Sequence, residues 1–168
     1  MQTNAVPAVD MSVNTTGCCP KFNPEGWDNQ ELHFENKRFL RAKTTSVAHI
    51  PINMGSVFAR VQEHIDEAKA MDPNDYIVLS RETSAFGAEH LFAVTKPIPD
   101  EDMTTLSGNF VTKVFEGPYR EMRHWYDEMI KLAEAKGSSG KPVWFFYTTC
   151  PKCAKAYGAN YVVGVAEI

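Results

Sequence analysis

Apolar positions recur along this chain with two different periods, and the switches between them mark out its elements. Between Phe39 and Asn53 the residues alternate and are rich in Val, Ile and Thr, which predicts one long or two short strands, with Pro51 near the edge of the pairing. From Met54 the period lengthens. Met54, Val57, Phe58, Val61, Ile65 and Ala68 recur at three- and four-residue steps opposite Arg60, Glu63, Asp66 and Glu67, the stripe of an amphipathic helix that Asn53 can cap. Met71-Asp72-Pro73-Asn74 ends that helix. Tyr76–Ser80 and His90–Thr95 then read as two strands, separated by a loop carrying Ser84, Gly87 and Ala88.

The second half repeats the order. Lys96–Gly108 carries two prolines, three carboxylates and turn formers, and reads as a connector. Asn109–Phe115 reads as a strand, and Gly117-Pro118 turns it into a helix, with Pro118 suited to a first helical position where its missing N–H costs nothing. Met122, Trp125, Tyr126, Met129 and Ala133 form that helix's stripe, and Gly137-Ser138-Ser139-Gly140 stops it. Pro142–Thr148 and Asn160–Glu167 close the unit as strands, joined by the cysteine-bearing segment Thr149–Ala159. The predicted fold is α+β: two strand–helix–strand–strand units, at about 39–96 and about 108–168, sharing one mainly antiparallel sheet with two helices on one face. Residues 18–168 read as a single domain, and a groove between its halves is where a small ligand binds.

Composition narrows the function classes. With 168 residues, 43% of them apolar and 23% charged, the chain can bury a core without disulfide or metal staples. A formal charge of −4 with no clustered Lys/Arg surface argues against a nucleic-acid binder. No apolar run approaches the length of a bilayer span. Met1–Gly17 has neither Lys or Arg nor an apolar stretch of signal-peptide length, so it reads as a polar, mobile leader and a cytoplasmic location is expected.

Three sets of residues could carry chemistry. The aromatic set Tyr119, Trp125, Tyr126, Trp144, Phe145, Phe146 and Tyr147 can stack a flat ligand or pack a core. Strand alternation puts Phe145 and Tyr147 on one face and Trp144 with Phe146 on the other, so they cannot all line one pocket. Glu82 and Glu116 sit near strand ends, where a carboxylate turned inward activates water or meets a cation. Cys150 and Cys153 form one Cys-x-x-Cys, a spacing that serves zinc, a redox pair or a structural loop. The adjacent Cys18 and Cys19 complete the cysteines, and zinc held by all four stays open beside reduced structural thiols. His49, His90 and His124 show no metal-ligand spacing and read as satisfied strand or helix residues.

The string Glu116-Gly117-Pro118-Tyr119 at the start of the second helix, with the aromatic strand Trp144-Phe145-Phe146-Tyr147 running into Pro151, resembles the GyrI-like small-molecule-binding family over roughly Phe39–Ile168. Cys18-Cys19-Pro20-Lys21-Phe22-Asn23-Pro24, Trp27-Asp28 and Thr148-Thr149-Cys150-Pro151-Lys152-Cys153-Ala154-Lys155 look like a stand-alone subgroup of it. The resemblance implies a duplicated fold like the effector domain of multidrug-responsive regulators, without their DNA-binding domain. In drug-binding members a carboxylate lines the cleft where this chain, aligned through Pro151, has Phe145, so selectivity for cations does not carry over. Some members hydrolyse strained, cyclopropane-bearing alkylating agents inside an aromatic cage, which implies hydrolysis here.

Together these readings give a small-molecule binder for a xenobiotic or other flat, apolar ligand, with Tyr119, Phe145, Tyr147, Trp144, Trp125, Tyr126 and Glu82 around the ligand. In an enzyme version Glu116 orients water, and no cofactor is required. A zinc or thiol-redox protein using Cys150 and Cys153 is the alternative, and a topoisomerase modulator is implied by the family name alone.

Overall fold

The computed structural model describes residues 2–10, 12–17 and 19–168. Among the described residues, seven strands and three helices run in the order β1 (Glu31–Val47), β2 (Ile50–Pro51), α1 (Met54–Ala68), β3 (Val78–Ser84), β4 (Gly87–Ala93), β5 (Asp102–Glu116), α2 (Met122–Ala135), β6 (Val143–Tyr147), α3 (Pro151–Tyr157) and β7 (Tyr161–Glu167), with a 3-10 turn at Tyr119–Glu121 before α2. Strand, helix, strand, strand is the order of both halves, with β2 and α3 added.

The strands form one sheet in the order β2-β1-β4-β3-β6-β7-β5, and β5 returns to pair with β1, closing a barrel. All pairings between these strands are antiparallel. Closure corrects two boundaries drawn from the sequence. Residues 31–38 were outside the first predicted strand, and 102–108 were read as connector, yet these stretches pair with each other, for example Lys37 opposite Leu106 and Arg38 opposite Thr105. Between Phe34 and Lys37 the register shifts, and Asn36 there takes a positive φ of 49°. Such a bulge bends the strand and increases its twist. It lets the 17-residue β1 serve β5 along one edge and β4 along the other, so the sheet is a closed barrel rather than an open platform.

Alternation sorts the side chains into two faces. Phe34, Phe39 and Phe110 pack inside the barrel, the Phe34 ring lying 5.2 Å from Phe110 and 6.2 Å from Phe39. Trp144 and Phe146 join the same core. The outer face carries the helices. Val57, Val61 and Ile65 form the buried stripe of α1, and Phe58 sets its ring edge-on to His90 and Phe92 of β4 at 4.8 and 5.1 Å. The Asn53 side chain does not cap α1; it accepts a hydrogen bond from the Thr45 N–H at 2.7 Å, tying the helix start to β1.

Trp125, Met129 and Ala133 of α2 pack on Val111, Phe115, Val143, Phe145, Val162 and Ala166. Trp125 stacks on Phe115 with centroids 5.4 Å apart. Gly164 is required beneath this helix, because a Cβ there would come 2.6 Å from the Met129 sulfur. Ser80 lies directly opposite both His90 and Phe145. The α1 and α2 contacts therefore fall on one outer face, on either side of a seam between β3 and β6.

The Thr149–Ala159 segment, read as a loop, holds α3. Pro151 stands at its start and Gly158, at φ 78°, ends it, the usual asymmetry of helix punctuation. Near the N-terminus the Asn4 N–H bonds the His33 carbonyl at 2.8 Å and the Asn4 side chain accepts from the Glu35 N–H at 2.7 Å. Val6 is buried. No helix among the described residues is long and apolar enough to cross a membrane.

Candidate functional site

Strands β3 and β6 share a single residue pair, Ser80 with Phe145, and their divergence beyond it leaves a space. A cavity of about 970 Å³ occupies it, large enough for a drug-sized molecule. Alternate residues of two strands, Val78, Ser80 and Glu82 on β3 with Ala88, His90 and Phe92 on β4, form its floor. Met54 and Phe58 of α1 make one side, Tyr119, Met122 and the stretch from Phe146 to Pro151 the other, and Cys19–Asn23 of the N-terminal segment add to the wall.

The floor holds one linked polar set. Ser80 Oγ lies 2.7 Å from His90 Nδ1, and Thr44 Oγ1 lies 2.9 Å from His90 Nε2. All three residues are buried. Pairing explains the arrangement: Ser80 is the cross-strand partner of His90, and Thr44 sits two residues beyond Ala42, the partner of His90 on its other side. With the proton on Nε2, Ser80 donates to Nδ1 and Nε2 donates to Thr44. Burial pushes the imidazole down to about 4, against a smaller opposing pull from Glu89, so it is neutral at pH 7. In that tautomer a hydroxyl donates to a neutral imidazole whose second nitrogen is anchored, the arrangement of a nucleophile, its base and an orienting group; in the other tautomer both bonds reverse.

Around the mouth, Tyr119 and Tyr147 meet edge to face at 5.8 Å. Burial, then the Glu82 carboxylate and Tyr119, push the Tyr147 phenol up to about 12, which keeps it protonated. Glu82 accepts a hydrogen bond from His49 Nδ1 at 2.9 Å, both side chains being exposed.

Of the residues singled out in the sequence, Tyr119, Tyr147 and Glu82 line the cavity. Phe145 does not: it shares the outer face, but α2 covers it within the Trp125–Met129 cluster. Trp125 belongs to that same core. Trp144 faces inward in the barrel, with the Arg81 guanidinium 5.0 Å over its ring. Tyr126 is exposed and outside the cavity wall, as is Glu116 at the end of β5. Ser80, Thr44 and the pairing role of His90 were missed, because each is an ordinary strand residue until the register is known.

A second cluster stands at the rim. The Sγ atoms of Cys19, Cys150 and Cys153 all lie within 4.8 Å of one another and could hold a metal ion. Cys18 lies outside the described residues. Thr16 Oγ1 is 3.2 Å from Cys153 Sγ, and that hydrogen bond leads the interactions that bring the Cys153 thiol down to about 6. The sequence offered Cys150 with Cys153, or zinc through all four cysteines; the fold brings Cys19 to that pair from the other end of the chain.

A protein-family model described as bacterial hydrolase matches residues 9–168. No curated protein matches the chain.

Proposed function

The chain belongs to the bacterial hydrolase family, and from that premise we propose that it hydrolyses a small, largely apolar ester in the cavity between α1 and α2, with Ser80 as nucleophile and His90 as its base. The observation that carries this reading is the 2.7 Å contact between Ser80 Oγ and His90 Nδ1 on the floor of a drug-sized cavity. Ser80 Oγ attacks the ester carbonyl while its proton passes to His90 Nδ1. The imidazolium returns that proton to the departing alkoxide, and water then cleaves the acyl-serine with His90 again as base. Thr44 anchors the second ring nitrogen, and the step uses the tautomer in which Nδ1 is open to accept.

Developing charge on the carbonyl oxygen needs a donor. Tyr147 suits this role: it projects from the same strand face as Phe145, the direct partner of Ser80, and its phenol stays protonated. The edge-to-face Tyr119–Tyr147 pair supports a flat ligand, as does the GyrI-like resemblance, which extends the substrate class to xenobiotics and drug-like electrophiles. His90 takes the place of Glu116 as base, since Glu116 lies outside the cavity wall.

The test is a panel of small aryl and alkyl esters assayed with wild type and Ser80→Ala. Turnover by the wild type that disappears in a folded Ser80→Ala protein supports the reading. Binding without turnover across the panel, or equal turnover in the variant, leaves a binding protein or a different nucleophile.

A further inference from the structure

We infer that Cys19, Cys150 and Cys153 hold a zinc ion that latches the N-terminal segment to the cavity rim. Three sulfurs within 4.8 Å of one another are too numerous for one disulfide. They are also close to the spacing that zinc imposes, since Zn–S bonds of about 2.3 Å in a tetrahedron set sulfurs about 3.8 Å apart. Soft thiolates select zinc over the hard cations that oxygen ligands prefer. Cys150 and Cys153 stand three residues apart at the start of α3, a spacing that puts both side chains on one side of the turn. Cys19 arrives from a segment more than a hundred residues away. Among the described residues three thiolates supply three of the four tetrahedral positions.

Two further observations fit a ligand at this place. Thr149, next to Cys150, is buried with its Oγ1 unpartnered, although it lines the cavity, so this wall has a polar atom to offer a ligand. The backbone around Cys19 is already seated for ligation, because its carbonyl accepts from Tyr157 Oη at 2.6 Å and from Thr16 Oγ1 at 3.4 Å.

The latch follows from what comes next in the chain. Residues 19–23 form one stretch of the cavity wall, and Phe22 packs its ring on Trp27, Phe146 and Tyr161 at 6.1, 6.4 and 5.7 Å. Joining Cys19 to the Cys150–Cys153 turn fastens this strap to the wall that carries Tyr147 and Thr149. Loss of the ion leaves this end of the strap held through the Cys19 carbonyl, by Tyr157 and Thr16, and loosens it beside the cavity.

The test uses the reduced, full-length chain purified from zinc-supplemented culture. Expected are close to one equivalent of zinc that survives dialysis and, after stripping and titration with cobalt(II), a thiolate-to-cobalt charge-transfer band. Cys19→Ser, Cys150→Ser and Cys153→Ser should each weaken cobalt binding by more than the roughly 10–100-fold typical of losing an outer-shell partner. Stripping should also speed limited proteolysis within residues 10–23, and zinc should reverse it. Absence of both retained zinc and a cobalt band in the wild type overturns the site. Unchanged affinity in Cys19→Ser, or unchanged proteolysis after stripping, overturns the latch. None of these readouts depends on hydrolysis.

Discussion

The floor and the rim of the cavity are held in place by different means. On the floor, Ser80, His90 and Thr44 come from three neighbouring strands, and the backbone ladder sets their spacing before any side chain packs. At the rim, Cys19 comes from an irregular N-terminal segment and Cys150 and Cys153 from the start of the short helix α3 near the other end of the chain, brought together by side-chain contacts such as Tyr157 with Cys19 and Phe22 with Phe146. A hydrogen-bonded ladder fixes positions to a fraction of an ångström, which general-base chemistry requires. Contacts between loops cost less to open, which suits a strap that must admit a ligand.

The sharpest way to break this division is Ser80→Ala, expected to lower kcat by on the order of 10⁴-fold or more. A merely structural polar network would leave turnover intact in a slightly less stable protein. Tyr147→Phe, which keeps the ring and removes the donor, should lower kcat by roughly 10²–10³-fold; a change confined to KM would return Tyr147 to ligand binding alone.

The buried imidazole makes stability depend on pH. His90 lies near 4 in the folded chain against 6.5 for a solvated imidazole, so below pH 6.5 the unfolded chain takes up a proton that the native protein refuses. Stability is full above pH 6.5 and falls by about 3 kcal/mol as pH drops to about 4. Urea unfolding across that window should show the decline, and His90→Gln should flatten it. Thr44→Val leaves Nε2–H without its acceptor and should cost about 1–3 kcal/mol of stability, with the acid limb of kcat/KM moved. Smallest is Tyr119→Ala at the mouth: losing one aromatic contact of about 1 kcal/mol weakens ligand affinity roughly fivefold, read by fluorescence titration.

Legibility in the sequence followed the same line. The helix stripes of α1 and α2 and the cores of the paired strands were readable because 3.6- and 2-residue periods survive in single-chain patterns. Barrel closure was not, since β5 begins in the polar run Asp102-Met103-Thr104-Thr105, whose partner lies some 65 residues away in β1. Helix α3 was hidden by its seven residues, too few to show a stripe, although Pro151 and Gly158 bracket it. At the site, Tyr147 was reachable from strand alternation and Glu82 from its place near a strand end. Phe145 obeyed the same alternation but was claimed by α2, a packing outcome that no period encodes. Ser80 and His90 become a pair only when register places them opposite each other, and Cys19 joins its partners only through the fold.

The most direct measurement is covalent capture of the nucleophile: incubate the full-length protein with a small aryl fluorophosphonate and locate the adduct by intact mass and peptide mapping. The account predicts one phosphonyl group per chain on Ser80, with loss of esterase activity in step and no labelling of His90→Gln. An unlabelled Ser80 in a protein that still hydrolyses esters would contradict it.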